Sequence, residues 1–255
     1  MQLIDTHAHS YSEQFDIDLN EMIIRAKQAG LASILLPAVD AESHERMLQV
    51  EANNPGYCFA MMGVHPCSIR ENYKEELKIA EDFLAKRKFI GVGEIGLDFY
   101  WDISFKEQQF AAFRTQIEWA LHYDLPIAIH SRNANEECIK LVKEMQNGKL
   151  QGVFHCFSGD AKQAQEIVDL GFYLGIGGVL TFKKSGLDEA IKNIHLNHIL
   201  LETDAPYLAP VPFRGKRNES SYLTYIAQKL ADVHEMSKEE IGEITTANAK
   251  KLFRL

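Results

Sequence analysis

The sequence predicts a (β/α)8 barrel, and three observations lead there. Short β-rich runs alternate with longer amphipathic stretches over the whole chain, eight such units can be drawn, and no G-x-G-x-x-G turn supports an open dinucleotide-binding sheet. The strands fall at residues 2–6, 33–37, 58–63, 89–93, 126–129, 152–154, 172–176 and 198–201. The clearest helix lies at 104–122, where Phe110, Phe113, Ile117 and Leu121 form an apolar stripe at helical spacing, read here as core. Gly30, Gly171 and the Leu125-Pro126 step mark helix-to-strand turns, and Gly175 to Gly178 reads as a tight turn at the barrel mouth. After Asn218 the chain reads as helical, with Ser237 and Glu240 spaced for a capping box.

Composition narrows the class further. A chain of 255 residues suffices for one large domain spanning 1–255, and chains near this length bury about 70–75% of their unfolded surface. No long apolar span and no signal-peptide pattern is present, so a soluble cytoplasmic protein is expected, with no membrane contact and no obligate protein partner. Cys58, Cys67, Cys138 and Cys156 are scattered without a C-x-x-C pair, which points to small buried hydrophobes and away from thiolate zinc or disulfides. A net charge of −9 argues against an extended basic surface tracking many phosphates. It leaves room for a compact site that grips one or two phosphates with the help of cations.

The polar residues able to do chemistry stand on one side of this map. His7 and His9 end the first strand, and side chains at i and i+2 share a face, so the two imidazoles can converge on one cation. Two separately satisfied histidines would show the same spacing. His65 follows the third strand, Glu94 the fourth, His130 the fifth, His155 the sixth and Asp204 the eighth, which is the active end of a barrel. Recurrence over so many strand ends favours metal binding. Four histidines and two carboxylates exceed the needs of one tetrahedral zinc with an open position, and they suit two divalent ions. Glu94 is the expected bridge, with His7 and His9 on one ion and His130 and His155 on the other. Asp204 is expected to ligate the first ion and to accept a proton from the attacking water. The mixed nitrogen and oxygen set suits Zn2+, Mn2+, Co2+ or Ni2+, with Mg2+ left open by its availability.

Asp5-Thr6-His7-Ala8-His9, Gly63-Val64-His65-Pro66, Gly93-Glu94-Ile95-Gly96-Leu97-Asp98, His130-Ser131-Arg132, His155-Cys156-Phe157-Ser158-Gly159 and Glu202-Thr203-Asp204-Ala205-Pro206 together resemble the TatD-family metal-dependent deoxyribonucleases of the amidohydrolase superfamily. The match runs nearly end to end, to Asn248-Ala249-Lys250-Lys251-Leu252-Phe253. The resemblance implies a TIM barrel and a two-metal site of His7, His9, Glu94, His130, His155 and Asp204. It further implies hydrolysis of DNA phosphodiesters from the 3′ end of single strands, with RNA as an alternative substrate, and it places His65 at the substrate phosphate. Cys67, Phe99, Asn133 and Ser220 depart from the usual family residues, and none is an expected ligand.

Arg132 is a further phosphate candidate, the alternative being a pair with a surface carboxylate. The segment 213–218 places Arg214, Lys216 and Arg217 beside the expected metals, where phosphate binding competes with the reading of a solvated loop. Glu202 is read as a carboxylate that orients a ligating histidine. A competing function keeps barrel and metals but cleaves an ester or amide, such as the aminoacyl bond of a mischarged tRNA. A strand-four lysine, carboxylated to bridge metals, is common among such hydrolases, and Glu94 in that place favours the nuclease.

Overall fold

The computed structural model describes residues 1–255. Eight strands, β1 (Leu3–Asp5), β2 (Leu31–Leu36), β3 (Cys58–Ala60), β4 (Val92–Asp98), β5 (Ile127–Arg132), β6 (Gly152–Phe154), β7 (Tyr173–Ile176) and β8 (Ile199–Leu201), all pair in parallel. Hydrogen bonds join the strands in the order β1-β2-β3 in one sheet and β4-β5-β6-β7-β8 in another. The two sheets close on each other through bridges between Met62 and Val92 and between Ala8 and Ala205. At these seams the Gly93 N–H donates to the Met62 carbonyl and the Thr6 N–H to the Leu201 carbonyl, both at 3.1 Å. The result is the expected (β/α)8 barrel, whose closure removes exposed sheet edges.

Around it run α1 (Leu19–Gln28), α2 (Ala41–Asn53), α3 (Tyr73–Lys86), α4 (Lys106–Tyr123), α5 (Asn135–Met145), α6 (Ala161–Asp169), α7 (Leu187–Ile191), α8 (Leu223–His234) and α9 (Lys238–Phe253). Successive strand residues point to opposite faces, and the packing follows that period. Ile4, Leu35, Met61, Ala128, Val153 and Leu200 cluster together under Leu252 and Phe253 of α9. Their neighbours Leu3, Ile34, Leu36, Ile129 and Leu201 join the larger core shared with the surrounding helices. The Asn248 side-chain amide donates to the Leu196 and Ile199 carbonyls at 2.7 and 2.9 Å, which seats α9 at the start of β8. One end of the barrel is thereby closed with apolar side chains, and polar residues collect at the other. The Ser237–Glu240 capping box opens α9 as its spacing requires.

On α4, Phe113 and Ile117 are buried as expected, with Phe110 and Leu121 packed at the core margin. The same helical face buries Gln109 and Gln116, which an apolar pattern does not announce. Gln116 accepts from the Val64 N–H at 2.7 Å and donates to the Val64 carbonyl at 3.2 Å. Gln109 makes the same pair of bonds to Asp98, at 2.9 and 3.2 Å. Each amide satisfies a buried peptide where the chain leaves the barrel, and so fixes the segments carrying His65 and Asp98.

Two strands differ from expectation in a way that matters. β4 covers Val92–Asp98 instead of 89–93, and β5 runs to Arg132 instead of 129. Glu94 and His130 therefore stand within strands and not just beyond them. A Cβ at Gly96 would run into the His130 carbonyl, so glycine here lets β4 lie close against β5. Gly30 and Gly171 hold φ of 90° and 80° at their helix-to-strand turns, and the C-terminal region divides into α8 and α9 where Glu235 turns left-handed with φ 53°. No helix is long and apolar enough to cross a membrane.

Candidate active site

The ends of β1 and β8 are locked together first. Asp5 is buried and accepts from the Thr203 N–H at 2.9 Å and the Thr203 hydroxyl at 2.6 Å. Burial pushes the Asp5 carboxyl up to about 7 against these donors. Just beyond, the Asp204 N–H donates to the His7 carbonyl at 2.9 Å and the His9 N–H to the Ala205 carbonyl at 2.7 Å. Asp204 takes a left-handed φ of 56°, tolerable for a short polar side chain. Its Oδ1 lies 3.9 Å from His7 Nε2 and 3.6 Å from His9 Nε2.

Glu94, only 2% exposed, is the hub of the cluster. Its Oε2 lies 3.1 Å from His7 Nε2 and 3.4 Å from His9 Nε2. Its Oε1 lies 2.9 Å from His130 Nδ1, 3.1 Å from His155 Nε2 and 3.4 Å from His65 Nε2. The His7 and His155 rings stack with centroids 3.6 Å apart. All six expected ligands are thus brought together, and three overlapping groups could hold a cation: His7, His9 and Glu94; His7, His155 and Asp204; His65, Glu94 and His130.

The outer partners decide which ring nitrogens face inward. The Tyr11 hydroxyl donates its one proton to the Pro37 carbonyl, so at 2.9 Å from His9 Nδ1 it accepts from that nitrogen. His155 Nδ1 donates to Glu202 at 3.0 Å, and His130 Nε2 donates to Asp98 at 2.8 Å. In the neutral rings this leaves lone pairs on His9 Nε2, His155 Nε2 and His130 Nδ1 aimed at carboxylate oxygens. Such an arrangement is repulsive unless positive charge lies between, supplied by a second ring proton or by a metal cation, and the donor set fits metal cations. His65 is wired in the opposite sense, because its Nδ1 accepts from the Cys67 N–H at 3.1 Å and its Nε2 carries the proton. His7 Nδ1 is buried without a partner.

Charge follows the same logic. Burial alone would raise Glu94, but His155, His65, His7 and His130 outweigh it and hold the carboxyl well below the usual range. Burial opposes protonation of His155, yet Glu94 and Glu202 lift it well above an ordinary histidine. Asp204 is held low by His9, His155 and His7 despite its burial.

The expected substrate contacts divide. Arg132 carries its guanidinium carbon 3.8 Å from the Tyr100 ring centroid, and Arg214 lies 3.7 Å from that of Phe182. Lys216 is exposed. Arg217 is committed elsewhere: two of its nitrogens reach Asp18 at 2.7 Å each, and its guanidinium lies 4.5 Å over Phe15. Arg217 thereby ties the β8–α8 segment to the β1–α1 loop, its Nη1 donating also to the Gln14 carbonyl at 2.6 Å. Glu202 is fully buried in the orienting position, also accepting from the Cys156 N–H at 2.6 Å. Sequence reading passed over Asp98 and Tyr11. Asp98 stands four residues after Glu94 on the same strand, an even spacing that could have found it, whereas Tyr11 lies in a turn after His9 and has no such signal.

A parallel barrel with buried imidazoles and carboxylates converging at one mouth is the scaffold of a metal-dependent hydrolase. The sequence model described as TatD related DNase matches residues 4–254. The metal-dependent hydrolase YabD of Bacillus subtilis is 41% identical over 254 residues, covering 99% of each chain. The 3′-5′ ssDNA/RNA exonuclease TatD of Pectobacterium parmentieri is 33% identical, over 99% of this chain and 100% of its own. Among solved structures, YJJV, a TatD homologue from Escherichia coli, superposes with a TM-score of 0.93 at 32% identity, over 99% of this chain and 98% of that one. The chain belongs to the TatD family of metal-dependent hydrolases.

Proposed function

We propose that this protein is a two-metal phosphodiesterase that removes nucleotides from the 3′ end of single-stranded DNA, with RNA as a second substrate. The observation carrying the two-ion reading is the split of Glu94, one oxygen toward His7 and His9 and the other toward His130 and His155. In this reading His7, His9 and Asp204 would hold one ion and His130 and His155 the other, with Glu94 offering an oxygen to each group. Exonuclease-named relatives and the cations Arg132, Arg214 and Lys216 around the mouth support a nucleic-acid substrate.

Bound divalent cations supply activated water and neutralise charge developing on the phosphoryl group. The chain's own residues do the remainder. Asp204, ionised under its histidine neighbours, accepts the proton of the attacking water. His65 Nε2–H donates to a phosphoryl oxygen as negative charge grows there. Arg132 and Arg214 hold flanking phosphates.

The deciding experiment strips the protein with chelator and restores Mg2+, Mn2+, Co2+ or Zn2+ one at a time. Each form is then assayed on 3′-labelled single-stranded DNA, duplex DNA, RNA and a carboxylic ester. Metal-dependent shortening of the single strand from its labelled end is expected. Ester cleavage with intact nucleic acid under every metal would move the assignment to a carboxylic-ester hydrolase.

A further inference from the structure

The segment linking β4 to α4 turns its large side chains outward: Trp101 is 70% exposed and Tyr100 52%, whereas the chain's other tryptophan, Trp119, is 8% exposed. Exposed rings of this size cost solvation and mark an interaction site when they cluster. This segment is held in place by the active site itself. Asp98 Oδ1 accepts from the Tyr100 and Trp101 N–H groups at 2.9 and 3.3 Å, while its Oδ2 takes the His130 Nε2 proton at 2.8 Å. One carboxylate thus sets both a candidate metal ligand and the two aromatic residues.

Arg132, two residues beyond His130, lays its guanidinium 3.8 Å from the Tyr100 centroid and 5.3 Å from that of Trp101. Resting on rings and not on a carboxylate, its charge remains available to an anion. Against Trp101 opens a cleft of about 240 Å3, walled by Pro66, Ile69 and Phe105 with Arg70 at its side, beginning one residue after His65. Flat apolar walls beside two guanidinium groups suit a planar heterocycle joined to phosphate. The carboxylates of Asp98 and Asp102 on the same lining disfavour a bare anion.

We propose that Trp101 and Tyr100, with Arg132 and the adjoining cleft, form the subsite for an unpaired nucleobase next to the scissile phosphate. This rests on the nuclease reading and assigns the residues that would contact the base. A base within a duplex has both faces stacked on its neighbours and cannot lie on the indole, so the subsite selects single strands or frayed ends.

The test compares wild type, Trp101→Ala and Trp101→Phe, each confirmed by its melting temperature and metal content. The substrates are a single-stranded oligonucleotide and the same strand with abasic terminal nucleotides. Trp101→Ala is expected to raise KM for the intact strand about tenfold with kcat nearly unchanged, in line with the loss of one base–aromatic stack. Trp101→Phe should restore KM, and the preference for the intact over the abasic strand should vanish in Trp101→Ala. In metal-free wild type, the oligonucleotide should quench the emission of exposed Trp101. An active wild-type nuclease whose KM is unmoved in Trp101→Ala overturns the subsite and leaves the nuclease standing. A folded Trp101→Ala whose KM is not rescued by Trp101→Phe overturns stacking as the cause. A metal-loaded wild type that neither binds nor cuts nucleic acid overturns both.

Discussion

Asp98 Oδ2 stands 2.8 Å from His130 Nε2, and the other nitrogen of that ring stands 2.9 Å from Glu94 Oε1. A neutral imidazole has one proton, and with a cation on the Glu94 side of the ring that proton lies toward Asp98. His130 is thereby set to offer Nδ1 to a cation, while His9 and His155 offer Nε2.

Asp98→Asn removes the charge that fixes this tautomer while keeping the shape. Metal affinity should fall about 10- to 100-fold, the range typical of partners behind a ligand. Titration of the stripped protein with Zn2+ or Mn2+ measures it, and unaltered affinity would remove Asp98 from the orienting role.

Removing Glu94 is more severe. Glu94→Gln takes away the charge that both imidazole pairs face, so metal content should drop and activity fall by more than about 100-fold. Chelation of the wild type should also lower its melting temperature, since an ion held only by the folded state stabilises it by mass action. A chelated protein that melts unchanged and keeps its activity would contradict a metal site.

His65 behaves differently if its Nε2 is a donor. His65→Ala should reduce kcat by about 10²- to 10³-fold, as expected for loss of one donor to developing negative charge. Bound metal measured by elemental analysis should stay at the wild-type level. Loss of metal alongside activity would make His65 a ligand.

The Asp18 pair gives a pH dependence away from the metals. Arg217, with Arg25 beside it, lowers the Asp18 carboxyl from 3.8 to about 2 against a burial effect that raises it. A carboxyl with a depressed folded-state pKa stabilises the fold at pH above its unfolded value, and that contribution disappears as pH falls from about 4 toward 2. Asp18→Asn should therefore melt about 2–4 °C below wild type near neutrality, equivalent to roughly 1 kcal/mol for a partly exposed pair. The gap should close in acid, and a gap constant with pH would show that the pair contributes nothing through charge.

The barrel and most of the site were legible in one dimension because they depend on local period and on residue chemistry. Alternating βα units required a layered parallel sheet, and His7, His9, Glu94, His130, His155 and Asp204 are donors of a kind that rarely gather without a cation. Three-dimensional closure decided what those residues do to one another. The seam between β1 and β8 turned Asp204 toward His7 and His9, and the close approach of β4 to β5 at Gly96 drew Glu94 and His130 into their strands. Arg214 and Arg217, three positions apart in one basic segment, ended on Phe182 and on Asp18 respectively. The buried amides of Gln109 and Gln116, the proton positions set by Tyr11, Asp98 and Glu202, and the shelf formed by Tyr100, Trp101 and Arg132 have no periodic signature. Each depends on hydrogen bonds or stacking between residues distant in sequence or on separate elements, and such pairings exist only once the strands have found their neighbours.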